Sequence, residues 1–286
     1  MSNNITNRSH NHNKLIFIML DGLRYDTAVT QMGYMQHLVE YGKAARYKVR
    51  SELPSLSRPL YEVLMTGTPV WRHGIATNQT VRLSHEHSLF HLTREQGLTN
   101  ATASYYWVSE LYNSAPFHPA VDRIQIDTDK PIQHGIFYFE DHYPDSHLFA
   151  DANFLLTQYA PDFLYVHSMN IDDDGHKFTG DSAQYRNRAL AADIILASVL
   201  PAWMEAGYQI IVTADHGMNN DGNHGGTTDA ERHVPLFVIS NQVPPDIYEQ
   251  EVPQLQLAPL ACRLLGIAPS EAMQPLTMLE FMPASP

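Results

Sequence analysis

Carboxylate, imidazole and hydroxyl side chains gather at four places in this 286-residue sequence, three of them just after a short apolar run. The strongest is VTADHGMNNDGNHGG, where Asp215 and His216 follow an apolar stretch directly and His224 comes eight residues later among glycines. Adjacent Asp and His at the end of a buried strand have little structural use, because both side chains need partners once out of water. The glycines let the next loop fold back on the same spot; the competing reading is a turn-rich surface loop. In IDDDGHKFTG, Asp172 and His176 are four apart, and Gly175 allows a turn between them. A carboxylate and an imidazole so spaced can meet one cation, while three successive Asp residues read equally as an exposed acidic turn.

Asp21, in IMLDGLR, ends another apolar run; it reads as a metal ligand or as the N-cap of the next helix. In PSLSRPLYEVLMTG, Ser57 opens a helix with Pro59 in its first turn and Gly67 at its close. The hydroxyl then sits among unpaired N–H groups at the positive end of the helix dipole, where an anionic phosphoryl group is favoured. The plain alternative is a Ser N-cap, and Ser55, two residues further from the helix start, is the local rival. Together the four places offer three carboxylates, three imidazoles and one hydroxyl. That is enough for two divalent cations with hard oxygen and imidazole ligands, a set suited to Zn²⁺ or Mn²⁺. Two such ions about 4 Å apart clamp the attacking and leaving oxygens of an in-line phosphoryl displacement, and an ion beside a serine lowers the pKa of its hydroxyl.

Positioning these groups requires strand ends in register. Leu15–Leu20, Phe163–Ser168, Gln209–Thr213 and Val234–Ile239 read as strands buried on both faces, as in a largely parallel sheet. Between them lie helix candidates at Gln31–Tyr41, Arg58–Thr66, Ser146–Tyr159, Ser182–Glu205 and Gln254–Leu264. The clearest is Ser182–Glu205, whose stripe Tyr185, Ala189, Ala192, Leu196, Val199 and Trp203 is core packing. Alternating strands and helices predict an α/β fold, a doubly wound, largely parallel central sheet with helices on both faces, and ligands then gather at the carboxyl ends of the strands. The whole chain, 1–286, reads as a single domain of this kind. Its polar start, 1–13, reads as a disordered tail, with His10 and His12 solvated. Residues 80–144, with Pro116, Pro119 and Pro131, read as an irregular excursion covering one edge of the site.

A net charge of −13 argues against gripping a nucleic-acid polymer or an anionic membrane through the overall field. The single Cys262, in an apolar stretch, excludes an intramolecular disulfide framework and a thiolate zinc site, so any metal is held by His and carboxylate. Leu15–Leu20 is too short for a membrane span or a signal segment, which predicts a cytoplasmic protein.

The stretches LDGLR, PSLSRPLYEVLMTG, WRHGIATN, NIDDDGHKFTG and TADHGMNNDGNHGG resemble the alkaline phosphatase superfamily, above all its type I phosphodiesterase/nucleotide pyrophosphatase branch. They fall in family order from Leu20 to Gly226. The resemblance implies a hydrolase acting on a small phosphate ester, with Asp172, His176 and His224 on one metal and Asp21, Asp215, His216 and the Ser57 oxygen on the other. It makes Ser57 the nucleophile, forming a phosphoseryl intermediate that water then hydrolyses, and it puts Asn78 on a non-bridging phosphoryl oxygen, as suits a diester. The branch usually has Thr at the position of Ser57, whereas serine is familiar in monoesterases, and its larger members have a longer insertion before the last His. Tyr105, Tyr106, Trp107 and Tyr112 offer stacking surface for a base or aryl group, with core packing as the default. A phosphomonoesterase or phosphonate-ester hydrolase on the same site is the alternative. A phosphomutase would need a larger cap domain, a sulfatase would need Arg where Tyr61 stands, and a non-catalytic metal-binding protein would have lost a ligand.

Overall fold

The computed structural model describes residues 13–282; the expectations for the tail 1–13, including His10 and His12, fall outside the described residues apart from Asn13. Among the described residues nine strands form one sheet: β1 Lys14–Leu20, β2 Ala45–Arg50, β3 Asn100–Tyr105, β4 Ile124–Ile126, β5 His134–Tyr138, β6 Phe163–Ser168, β7 Tyr208–Thr213, β8 His233–Ile239 and β9 Ile247–Pro253. Their spatial order is β4-β5-β3-β6-β1-β7-β8-β2-β9. Neighbours pair parallel from β5 to β7 and again between β2 and β9, while β4 and β8 run against the rest. The expected largely parallel, doubly wound α/β sheet is therefore found. One of the expected strands departs from it: Val234–Ile239 lies in an antiparallel strand, because an apolar run reports burial on both faces and carries no record of direction.

The helices are α1 Tyr25–Gln31, α2 Gly33–Glu40, α3 Ser57–Thr66, α4 Val70–His73, α5 Leu89–Glu95, α6 Trp107–Tyr112, α7 Pro119–Asp122, α8 Asp145–Tyr159, α9 Asn170–Phe178, α10 Ala183–Glu205, α11 Asp229–Arg232 and α12 Leu257–Leu265. The long α10 packs on α1, α2, α8 and α9 along one layer, and α12 packs on β1, α3 and α5 in the other. The α10 stripe is buried as expected at Tyr185, Ala189, Ala192, Leu196 and Trp203, while Val199 is only partly covered and Leu200 is buried beside it. Ser182 caps it, accepting the Tyr185 N–H at 3.1 Å. The helix expected over Gln31–Tyr41 is α2, Gly33–Glu40, and a separate helix, α1, precedes it and breaks from it at Met32. The break is stabilised from a distance, since the Asp193 carboxylate accepts the N–H groups of Tyr34 and Met35 at 2.7 and 3.1 Å.

Residues 80–144 are not an irregular excursion. They supply β3, β4 and β5, three strands on one side of the sheet, with α5, α6 and α7. β3 reads NATASY, small and polar yet wholly buried, and its cost is met by bonds such as Thr102 Oγ1 to the Tyr165 carbonyl at 3.0 Å. The centre of the sheet is β6-β1-β7, where Leu15–Leu20, Phe163–Val166 and Ile210–Val212 are without solvent exposure. At about 1.5–3 kcal/mol for each fully buried large apolar side chain, these strands anchor the three carboxyl ends that matter for the site. Among the described residues no helix is long and apolar enough to cross a membrane.

Candidate metal centre

Three neighbouring strands deliver the acidic groups. Asp21 follows β1 directly, Asp215 comes two residues after β7, and Asp172 lies in the first turn of α9, which begins just beyond β6. Asp172 and His176 share α9 as an i,i+4 pair at 3.3 Å, not a turn. Gly175 continues that helix, and a Cβ on it would come 2.7 Å from Met218 Cε. Gly22, at φ +73°, brings the β1 end close to α9: a Cβ there would be 2.9 Å from the Cα and Oδ1 of Asp172. The loop after β7 returns through Gly222 and Gly225, both at positive φ, to place His224 beside the others.

The seven expected ligands come together. His216 Nε2 lies 3.4 Å from Asp21 Oδ1, 3.3 Å from Asp215 Oδ2 and 3.1 Å from Ser57 Oγ. His224 Nε2 lies 3.7 Å from Asp172 Oδ1 and 3.2 Å from His176 Nε2, and the rings of His216 and His224 stack at 3.7 Å. Two ligand groups can be drawn, Asp172 with His216 and His224, and Asp21 with Asp215 and His216. His216 thus belongs to both, and His176 stands beside the first, its Nε2 3.3 Å from Asp172 Oδ2.

The protonation pattern says what the cluster is for. Nδ1 of each imidazole faces a backbone carbonyl: His216 that of Gly217 at 2.9 Å, His176 that of Gly222 at 2.8 Å and His224 that of Ser55 at 2.8 Å. Those carbonyls hold a ring proton on Nδ1 and turn each Nε2 to the centre, as a lone pair wherever the ring is neutral. Asp21 Oδ1, Asp172 Oδ1 and Asp215 Oδ2 are buried without a hydrogen-bond partner among the described residues. Carboxylate oxygens and imidazole Nε2 atoms thus crowd one another at the centre, an arrangement that costs free energy in a protein and is relieved by a cation. The donor set of imidazole nitrogen and carboxylate oxygen, with each imidazole oriented by its far nitrogen, fits divalent metal ions.

The titration behaviour follows from the same crowding. Burial, then the neighbouring charges of Asp215 and Asp172, push Asp21 well above the usual carboxylate range, and burial with Asp172 takes Asp215 up to about 7. Burial lowers His216, and burial with His216 beside it takes His224 down to about 4. The hydrogen bond to Asp172 raises His176 to about 9. Burial would raise Asp172, but that bond and the other two imidazoles outweigh it, so its carboxyl is lowered.

Ser57 is the first residue of α3, 3% exposed, with Leu56 as N-cap. Asn78 stands at the same helix end, where its Oδ1 accepts the Arg58 N–H at 3.0 Å. Its Nδ2 has no protein partner among the described residues. The aromatic group reads differently from a stacking platform: Tyr105 and Tyr112 are core residues whose hydroxyls bond Asp141 and Glu62. Trp107 covers the guanidinium of Arg58 at 4.4 Å, and that guanidinium pairs with buried Glu110 at 2.7 Å.

Four supporting residues escaped the sequence reading. Tyr61 donates its hydroxyl to Asp21 Oδ2, and His167 Nε2 lies 3.2 Å from the same oxygen. Ser55 and Glu231 hold the loop that carries His224. His167 had a signal, an imidazole inside the apolar strand FLYVHS, and Glu231 had one in the capping box Thr228-x-x-Glu231.

A mostly parallel sheet with helices on both faces is an alkaline phosphatase-like fold. The type I phosphodiesterase/nucleotide pyrophosphatase family matches residues 15–227, and the chain belongs to that family. Among curated relatives, the mouse GPI ethanolamine phosphate transferase 3, catalytic subunit, is 31% identical over 112 residues, which is 37% of this chain and 10% of that protein. GPI ethanolamine phosphate transferase 3 of Eremothecium gossypii is 23% identical across 89% of this chain and 27% of its own length. The chain thus spans about a quarter or less of these relatives. In structure, murine ectonucleotide pyrophosphatase/phosphodiesterase 5 superposes with a TM-score of 0.74 at 13% identity, covering 93% of this chain and 100% of the other.

Proposed function

We propose that the chain is a metal-dependent phosphodiesterase of nucleotide-pyrophosphatase type, with Ser57 as its nucleophile. The observation that carries the reading is Ser57 Oγ, at a helix N-terminus and 3.1 Å from His216 Nε2, beside carboxylate oxygens that lack partners. Two divalent cations, Zn²⁺ first and Mn²⁺ second by donor type, would be held by Asp172, His176 and His224 and by Asp21, Asp215, His216 and Ser57, supplying charge to the phosphoryl oxygens and acidifying the hydroxyl. The Ser57 oxygen, its proton passing to water, would attack phosphorus in line; the ester P–O bond breaks, and the leaving oxygen takes a proton from water and departs as the alcohol. The α3 N-terminus favours the anion that remains. Asn78, with Oδ1 committed to Arg58, presents Nδ2 as a neutral donor to a non-bridging oxygen, as suits a diester with its single negative charge. Water then cleaves the phosphoseryl ester and restores Ser57.

The test is turnover by Zn²⁺- or Mn²⁺-loaded protein: bis-p-nitrophenyl phosphate should exceed p-nitrophenyl phosphate. A preference for the monoester would overturn diester specificity, and an unchanged rate after chelation would overturn the metal reading. A second reading draws on the relatives' printed name, ethanolamine phosphate transferase. There an alcohol replaces water in the second step. Adding an acceptor alcohol and measuring phosphoryl transfer against hydrolysis separates the two.

A further inference from the structure

Ser55, the rival of Ser57 in the sequence, is fully buried and makes three contacts with one loop. Its carbonyl accepts the Nδ1–H of His224 at 2.8 Å, and its hydroxyl donates to the Gly226 carbonyl at 2.8 Å and accepts the Gly225 N–H at 3.0 Å. Gly225, at φ +108°, lies against the next residue: a Cβ on it would be 3.0 Å from Leu56 Cδ2. Residues 224–226 are therefore docked in register on residues 55–56. From the other side, the Glu231 carboxylate accepts the N–H groups of Gly226 and Thr228 at 3.1 Å each and the Thr228 hydroxyl at 2.6 Å. The loop between β7 and α11 has no regular structure of its own, so such ties decide where His224 stands.

We infer that Ser55 is a positioning residue that couples the nucleophile to the metal ligand His224, its hydroxyl holding the His224 loop on the segment that leads into α3. The inference rests on the proposed function. Its physical content is one rigid joint with chemistry on each side: Ser57 two residues along one strand of the joint, His224 at the start of the other. Groups that orient a ligand in this way change metal affinity by roughly 10–100-fold when removed.

The test is Ser55→Ala in the full chain, which removes both hydroxyl bonds and leaves the carbonyl. Zn²⁺ affinity is measured by competition with a chromophoric chelator, against wild type holding two ions. One ion should weaken by about 10–100-fold while the other keeps its affinity, and excess Zn²⁺ should restore kcat. Unchanged affinity for both ions overturns the inference. Equal weakening of both, with a lower thermal midpoint of the metal-free protein, assigns Ser55 to the fold alone and also overturns it. Should Ser55→Ala not accumulate, hydrogen exchange on Ser57→Ala decides. Peptides spanning 53–58 and 222–227 should then gain protection at one Zn²⁺ midpoint, and protection of 222–227 alone overturns the coupling. A wild-type protein that binds no Zn²⁺ refutes the proposed function itself, a result separate from every Ser55 outcome.

Discussion

Glu62 and Glu110, on the flank around α3, and Asp21 and Asp215, at the ends of β1 and β7, are all buried carboxylates, yet their surroundings differ in kind. Glu62 receives the hydroxyls of Ser84 and Tyr112, and Glu110 receives the Arg58 guanidinium at 2.7 Å and the Phe117 N–H at 3.0 Å. On the flank, every acid is answered from within the chain. At the strand ends, Asp21 and Asp215 each keep one oxygen unanswered and face a third carboxylate, Asp172. Two acids are raised to about 7 for different reasons: Glu62 by burial against the pull of its donors, Asp215 by burial and then by the charge of Asp172. The difference teaches that the flank closes its charges within the fold, whereas the strand ends leave oxygens that a cation would satisfy, at a cost to the metal-free fold.

The largest test of this contrast is Asp215→Asn. Phosphodiester turnover should fall by about 10³-fold or more as a ligand is lost, while the metal-free protein should melt no lower than wild type, because a buried like charge is gone and the amide oxygen can still accept the Gly22 N–H. A metal-free midpoint well below wild type would erase the distinction. Next is Glu110→Ala, which leaves the Arg58 guanidinium buried and unpaired. It should cost about 3–5 kcal/mol in denaturant unfolding with Zn²⁺ content unchanged; loss of metal instead would move the flank into the site.

The smallest effect is a pH dependence. The folded protein holds a proton on Glu62 up to about 7, against 4.5 for the free group. Its contribution to stability is therefore complete below about 4.5 and lost as pH rises through about 7. Removing that group in Glu62→Gln should shift stability in the variant's favour by up to about 3 kcal/mol between those limits. Unfolding curves of both proteins across the range check it, and parallel curves would mean that Ser84 and Tyr112 already offset the burial.

Much of the candidate site was legible because most of its residues lie next to an element with a strong local signature. Leu15–Leu20, Phe163–Ser168 and Gln209–Thr213 are apolar enough to be read as buried strands, and Asp21, Asp172 and Asp215 sit just beyond them. Ser57 was marked by Pro59 and Gly67, which bound its helix. β3 was missed because NATASY carries no apolar pattern, and β9 because IYEQEVP is an exposed edge. The break at Met32 depends on Asp193, and the roles of Tyr61, His167 and Ser55 depend on partners more than 30 residues away. No local window contains both halves of such a contact.

Gly22 shows how little material sets the spacing of the two ligand groups. A single methyl group at that position would meet the backbone and carboxylate of Asp172, the one acidic residue of the group that includes His224. The gauge of the centre is thus a missing atom: α9 can settle no nearer to β1 than Gly22 permits, and any side chain there would lever Asp172 outward. Replacing the residue would leave every ligand in the sequence and still spread the two groups apart, so a protein with a full complement of ligands could have lost the reach to use them together.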